Sequence, residues 1–192
     1  MDIKIHNLNK KYGEQSILKN YAVDFKDNAI TCIMGVSGCG KTTLIRILAG
    51  LETKNSGIIE GIEGRLITMV FQEERLCENL SVKMNLRLVC KNKISDEELK
   101  YHLKEVGLEG VLEKSVSTLS GGMRRRVAIV RAMITESDII IMDEPFKGLD
   151  EELKKHVIAY VRKNSIGKTL IVVAHDMQAI EFLRPDKVVQ MS

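Results

Sequence analysis

Residues 35–42 read Gly-Val-Ser-Gly-Cys-Gly-Lys-Thr, which fills the spacing G-x-x-x-x-G-K-[ST] without a gap. Glycine at 35, 38 and 40 lets the backbone curl until successive N–H groups face one point, and a following helix N-terminus adds partial positive charge there. That is the chemistry of holding phosphate. In such a loop Lys41 reaches the terminal phosphates and the Thr42 hydroxyl is placed to ligate Mg²⁺. The setting agrees, because an apolar run at 29–34 precedes the loop and a helical pattern at 42–49 follows it. A glycine turn that merely stood before Lys-Thr would lack these flanks.

Farther along, the apolar run 139–142 ends in Asp143-Glu144-Pro145. Two carboxylates at the mouth of a buried strand are costly unless they meet a cation or a reacting water. Asp143 is placed to hold Mg²⁺ through its water shell, and Glu144 to orient and polarise an attacking water. Strands that end in solvated acids are common; the phosphate loop upstream is what favours the chemical reading.

The elements that must position these groups are legible in outline. Ile3, Ile5 and Leu8 alternate as an opening strand, and further strands are predicted at 21–25, 29–34, 66–71, 139–142 and 170–174. Residues 73–122 differ: they are polar, helical in period and without strong strands, and Ser95 with Glu98 forms a capping box for a helix that Gly107 closes. Strands alternating with helices imply a mostly parallel sheet. The expectation is an α/β phosphate-loop core over 1–72 and 123–192, with a small antiparallel β region and a helical subdomain inserted at 73–122.

With 192 residues the chain suffices for one domain with its own core. A net charge of +3 is too small to argue for nucleic acid as a partner. Cys32, Cys39, Cys77 and Cys90 show no zinc or CxxC spacing, which suits a reducing compartment. No signal-peptide stretch opens the sequence, and no run approaches the ~18 apolar residues of a membrane helix. These features predict a cytoplasmic chain whose membrane work goes through another polypeptide.

Taken together, the residues resemble the ATP-binding cassette (ABC) ATPase family over nearly the whole chain. The specific mark is Leu119-Ser120-Gly121-Gly122-Met123, similar to the LSGGQ signature with methionine in the last place. Ser-Gly-Gly at a helix start is itself a second anion cradle. The resemblance implies that ATP and Mg²⁺ are bound by Gly35, Ser37, Gly38, Cys39, Gly40, Lys41, Thr42 and Thr43. It implies that Tyr12 stacks on adenine, that Gln72 touches Mg²⁺ and water, and that Asp150 of Gly148-Leu149-Asp150 faces a partner subunit. It further implies that His175 contacts the γ-phosphate as a switch, and that Ser120, Gly121 and Gly122 complete the ATP site of another copy. The implied assembly is a head-to-tail homodimer on the cytoplasmic face of the membrane, coupled to integral membrane transporter subunits and faintly importer-like. A soluble ABC protein of translation or DNA repair, or a binding module that does not hydrolyse, remain the alternatives. Such soluble proteins usually carry two cassettes or a long insertion, and Glu144 with His175 argues against a module without hydrolysis.

Three features stand apart. Arg124, Arg125 and Arg126 follow the signature at a helix start, where positive charge opposes the dipole; they read as a solvated face, with phosphate attraction as the other option. The stretch 50–72 is short for the family, which predicts a reduced antiparallel sheet. The sequence ends soon after His175, which predicts a minimal cassette without a regulatory tail.

Overall fold

The apolar runs that surround the chemical residues become the centre of one sheet. The structure is a computed structural model that describes residues 1–90 and 94–192. Five parallel strands lie in the order β5 (Ile67–Val70), β6 (Ile139–Asp143), β7 (Thr169–Val173), β3 (Ile30–Gly35), β8 (Lys187–Met191). A second, antiparallel sheet pairs β2 (Gln15–Phe25) and β4 (Ser56–Glu60) on either side of β1 (Ile3–Tyr12). The helices are α1 (Lys41–Leu48), α2 (Val82–Arg87), α3 (Asp96–Glu105), α4 (Gly121–Ile134), α5 (Glu151–Asn164) and α6 (Met177–Leu183).

Strands of a parallel sheet are covered on both faces, so they read as unbroken apolar runs rather than as alternation. All five residues of β6 and all five of β7 are buried. The two faces nevertheless go to different cores. Ile33, Ile139, Ile141, Ile171 and Val173 pack with α1 and the antiparallel sheet. Cys32, Ile140, Met142, Leu170 and Val172 pack with α2 through α6. The helical stretch after β5 therefore shares its apolar core with one face of the parallel sheet.

Three strands differ from the sequence reading. β2 begins at Gln15, well before 21, because its first half pairs with β1 in a hairpin closed by Tyr12 opposite Gln15, although its exposed polar residues come in adjacent pairs rather than in alternation. β4 and β8 carry no clear apolar run and exist through pairing, β4 with β1 and β8 with β3. The antiparallel sheet thus has three strands, the third drawn from the 50–72 stretch. α3 follows the predicted signals: Ser95 Oγ accepts the Glu98 amide at 3.1 Å, and Gly107 ends the helix with φ of 68°.

The short helix α2 rests on a buried amide. Asn85 is fully buried, accepts the Cys77 N–H through Oδ1 at 2.8 Å, and donates through Nδ2 to the carbonyls of Cys77 and Ser81. Leucine at this position has similar volume but leaves the Cys77 amide without its acceptor, while the carbonyls of Cys77 and Ser81 keep the backbone amides of Leu80 and of residue 85. Asn85→Leu is expected to lower the unfolding free energy by about 1–3 kcal/mol, the cost of orphaning one buried donor. Urea unfolding followed by circular dichroism measures it, and an unchanged midpoint would contradict the role assigned to this amide.

Candidate functional site

In open α/β sheets the carboxyl ends of the strands form the ligand crevice. Four neighbouring strands deliver the chemical residues to that edge here. β3 runs into the phosphate loop, β5 is followed by Gln72, β6 ends at Asp143 and Glu144, and β7 leads to His175. A cleft of about 770 Å³ opens there, lined by Gly35, Ser37, Gly38, Gly40, Lys41, Thr42, Thr43, Gln72, Glu144 and His175, together with Gln15, Ile17, Val36 and Lys147.

The loop needs its glycines for different reasons. Gly35 has φ of 152°, and a Cβ there would stand 2.3 Å from the Met191 carbonyl oxygen; at Gly40 (φ 103°) it would stand 2.9 Å from Leu18. Gly40 also caps α1 without a side-chain bond, and no acid occupies the first turn of that helix, so its positive end is left uncompensated. Lys41 is buried, and its ammonium donates to the carbonyls of Gly35 and Val36 at 2.8 Å each. The Cys39 thiol packs partly into the core beneath α1 and does not line the cleft.

Thr42 Oγ1 donates to Asp143 Oδ2 at 2.9 Å. Asp143 is buried, and that burial pushes its carboxyl above the usual carboxylate range; the Thr42 bond works in the opposite direction and Glu144 adds to the rise. Glu144 follows in a left-handed conformation, φ 48°, which is unusual for any residue with a side chain and more so before proline. Its amide donates to the Val173 carbonyl at 3.0 Å, which extends the β6–β7 ladder by one residue and holds the turn. The carboxylate then points into the cleft with Oε1 3.2 Å from His175 Nδ1 and Oε2 3.2 Å from Lys147 Nζ. The lysine lies off the hydrogen-bond line, so the buried Oε2 has no hydrogen-bond partner among the described residues.

Other expected residues lie outside this cleft. Tyr12 ends β1 opposite Gln15, about half exposed, with the Lys10 ammonium 4.6 Å from its ring centre; Lys10 is itself paired with Glu52. Ser120 caps α4 by accepting the Met123 amide, and nothing stands within 4 Å of a Cβ added at Gly121 or Gly122. Asp150 caps α5 by accepting the Leu153 amide at 3.0 Å. The phosphate loop and the signature are therefore two separate sets of open helix-terminal amides on one chain.

The arginine run is mostly not a solvated face. Arg126 donates to the carbonyls of Val106 and Gly107, binding the end of α3 to the start of α4. Arg125 donates to the carbonyls of Lys147 and Gln72 at 2.7 and 3.1 Å and meets Glu74 at 3.2 Å. One guanidinium thus joins the signature helix, the segment after β5 and the turn after Glu144. Sequence reasoning missed both Arg125 and Lys147. The available signal was three cations at a helix start, where the dipole is unfavourable and other acceptors must compensate.

Among the described residues no group of three or more His, Cys, Asp or Glu side chains is gathered to hold a metal, and no helix is long and apolar enough to cross a membrane. Fold and site together define a phosphate-loop α/β protein of the cassette type. The chain belongs to the ABC transporter family, whose sequence pattern matches residues 18–147. It is 35% identical over 194 residues to the Fe(3+) ions import ATP-binding protein FbpC of Fusobacterium nucleatum, covering 93% of this chain and 52% of that protein. It is 36% identical to the spermidine/putrescine import ATP-binding protein PotA of Spiroplasma citri, covering 92% and 55%. The sulfate/thiosulfate import ATP-binding protein CysA of Mannheimia succiniciproducens gives the same three figures. The chain thus spans about half the length of the curated relatives it matches. Among solved structures, a dimeric ATP-binding cassette in a post-hydrolysis state bound to ADP and Pi superposes with a TM-score of 0.84 at 28% identity, covering 99% of this chain and 94% of that one. A dimeric bacterial ABC transporter cassette superposes with a TM-score of 0.83.

A buried acid with a raised pKa weakens the fold once it ionises. Stability is lost as pH rises through the raised folded pKa and regained as pH falls below it. Asp143→Asn keeps an oxygen to accept the Thr42 hydroxyl and removes the charge. The variant is expected to unfold at higher urea than the unmodified chain at pH 7, the gap closing as pH falls into the carboxylate range. Equal midpoints at pH 7 would show that the burial of Asp143 carries no electrostatic cost.

Proposed function

We propose that this chain binds MgATP in the cleft and hydrolyses it as the cassette subunit of an ABC transporter, working with a second copy of itself and with integral membrane transporter subunits. The observation that carries the reading is the meeting of the phosphate loop, Asp143, Glu144 and His175 at one sheet edge, with the signature left outside the cleft. In this reading the amides of residues 35–43 and the Lys41 ammonium hold the phosphates. Tyr12, across the hairpin from the cleft residue Gln15, stacks on adenine.

The residues present suit Mg²⁺. Thr42, Asp143 and Gln72 offer hard oxygen donors, and a buried carboxylate whose one side-chain hydrogen bond comes from Thr42 is fit to face a cation. Magnesium ions use one or two such groups plus substrate phosphates, which agrees with the lack of a larger acidic cluster among the described residues. The ion supplies neutralisation of the charge that gathers on the phosphate oxygens. Glu144 orients water and takes its proton at Oε2. The water oxygen bonds to the γ-phosphorus as the bond to the ADP oxygen breaks, and His175, beside Oε1, contacts the γ-phosphate.

Because the signature amides lie apart from the phosphate loop, the ATP site is completed by Ser120, Gly121 and Gly122 of a second copy, head-to-tail, with Asp150 at the join. Gln72 and the helices α2 and α3 that follow it pass the open or closed state to the membrane subunits on the cytoplasmic face. The named relatives import ferric ions, polyamines and sulfate, so the cargo is selected by partners outside the cassette.

Glu144→Gln keeps size and removes charge. ATP binding is expected to survive while hydrolysis falls by roughly 10²–10⁴, the worth of a positioned general base. The variant is expected to elute as a dimer with MgATP, and Ser120→Arg in the same background to abolish that dimer. Size-exclusion chromatography with and without MgATP reads both. A monomer in the first case, or an intact dimer in the second, would sink the shared-site mechanism. Tyr12→Ala is expected to weaken ATP binding by about 1–2 kcal/mol in an equilibrium titration, with Tyr12→Phe near the original.

A further inference from the structure

Lys147 stands where a cation has two competing partners. Its ammonium lies 3.2 Å from Glu144 Oε2, off the hydrogen-bond line, and it lines the same cleft as the phosphate loop. Its backbone is fixed from three sides. Its amide donates to the Glu144 carbonyl at 3.3 Å, its carbonyl accepts from Arg125 at 2.7 Å, and the neighbouring Phe146 is buried. The side chain is by contrast half exposed, on a flexible four-carbon stem. The other ammonium in the cleft, Lys41, is buried and committed to two loop carbonyls.

A terminal phosphate entering this cleft carries more negative charge than the Glu144 carboxylate and repels it. We propose that Lys147 is a γ-phosphate-sensing residue: its ammonium engages Glu144 Oε2 until the terminal phosphate of a nucleoside triphosphate draws it away, which frees Oε2 for the attacking water. The lysine thereby offsets the repulsion between carboxylate and phosphate and couples exposure of the base to the presence of a triphosphate. A diphosphate lacks the group that moves it, so the chain prefers triphosphate over diphosphate through this side chain. The inference rests on the reading of the cleft as a nucleotide site.

Calorimetric titration with ADP and with a non-hydrolysable ATP analogue, both with Mg²⁺, tests it. Lys147→Met is expected to weaken the analogue roughly tenfold, the low end for a hydrogen bond to a charged group because the ammonium is half exposed. ADP binding is expected to stay within about twofold, since no lost contact reaches it. Lys147→Arg, which keeps the charge, is expected to retain most of the preference. Equal losses for the two nucleotides, or no loss for the analogue, overturn the sensing role while leaving the nucleotide site in place. A wild-type chain that binds neither nucleotide overturns the reading of the cleft itself, and the sensing role with it.

Discussion

The arrangement hangs on one constraint, a carboxylate carried to the end of a fully buried strand. Asp143 closes β6, all of whose residues are buried, and it is held up by a single hydroxyl from Thr42. A protein interior does not retain an ionised group cheaply without a partner. The strand cannot be drawn outward, because β5 and β7 flank it and its two faces fill two separate cores. The cost is therefore built in, and the groups around it are arranged on its terms. Thr42 faces it from the first turn of α1, and Glu144, next in the chain, takes a left-handed backbone and lines the cleft.

That turn at Glu144 is a strain of order 1–3 kcal/mol for a residue with a side chain. Such strain persists only where neighbours over-determine the conformation, and they do so here. The Glu144 amide is tied to Val173 on one side, and its carbonyl accepts from Lys147 on the other. Arg125 then reaches the Lys147 carbonyl from the start of α4. The same guanidinium holds the Gln72 carbonyl and the Glu74 carboxylate. This side chain touches both the helical segment and the sheet edge, so it is one direct link between them. The basic run after the signature is in this respect internal wiring.

The difference between what was legible in the sequence and what was not follows the range of the forces. The phosphate loop, the acid pair at 143–144 and the Ser95 cap are encoded by residues a few positions apart, so their spacing carries the signal. β3, β6 and β7 are legible because a strand covered on both faces must be apolar throughout. β4, β8 and the first half of β2 have solvent on one side and owe their existence to a neighbouring strand, which no local pattern announces. Arg125 and Lys147 were missed for the same reason at the level of side chains. Their partners lie in other segments, and a cation on its own looks like surface. Tyr12, Cys39 and Asp150 were placed in the site by resemblance, and their side chains sit beside the cleft or away from it.

The separation of the two anion cradles has a consequence for mechanism. Each lies at a helix start with no acid in the first turn, so each retains an affinity for negative charge. One opens into the cleft and the other onto open surface. Within a single chain the cleft is lined by the first and not by the second. In the proposed dimer two chains bring them together, by a rotation that sets the signature of each over the cleft of the other, and a two-fold arrangement closes without leaving a free end. The attraction between exposed amides and a terminal phosphate then falls to zero when that phosphate leaves. In the proposed dimer, a site built this way gives an assembly that tightens with triphosphate and loosens with its hydrolysis.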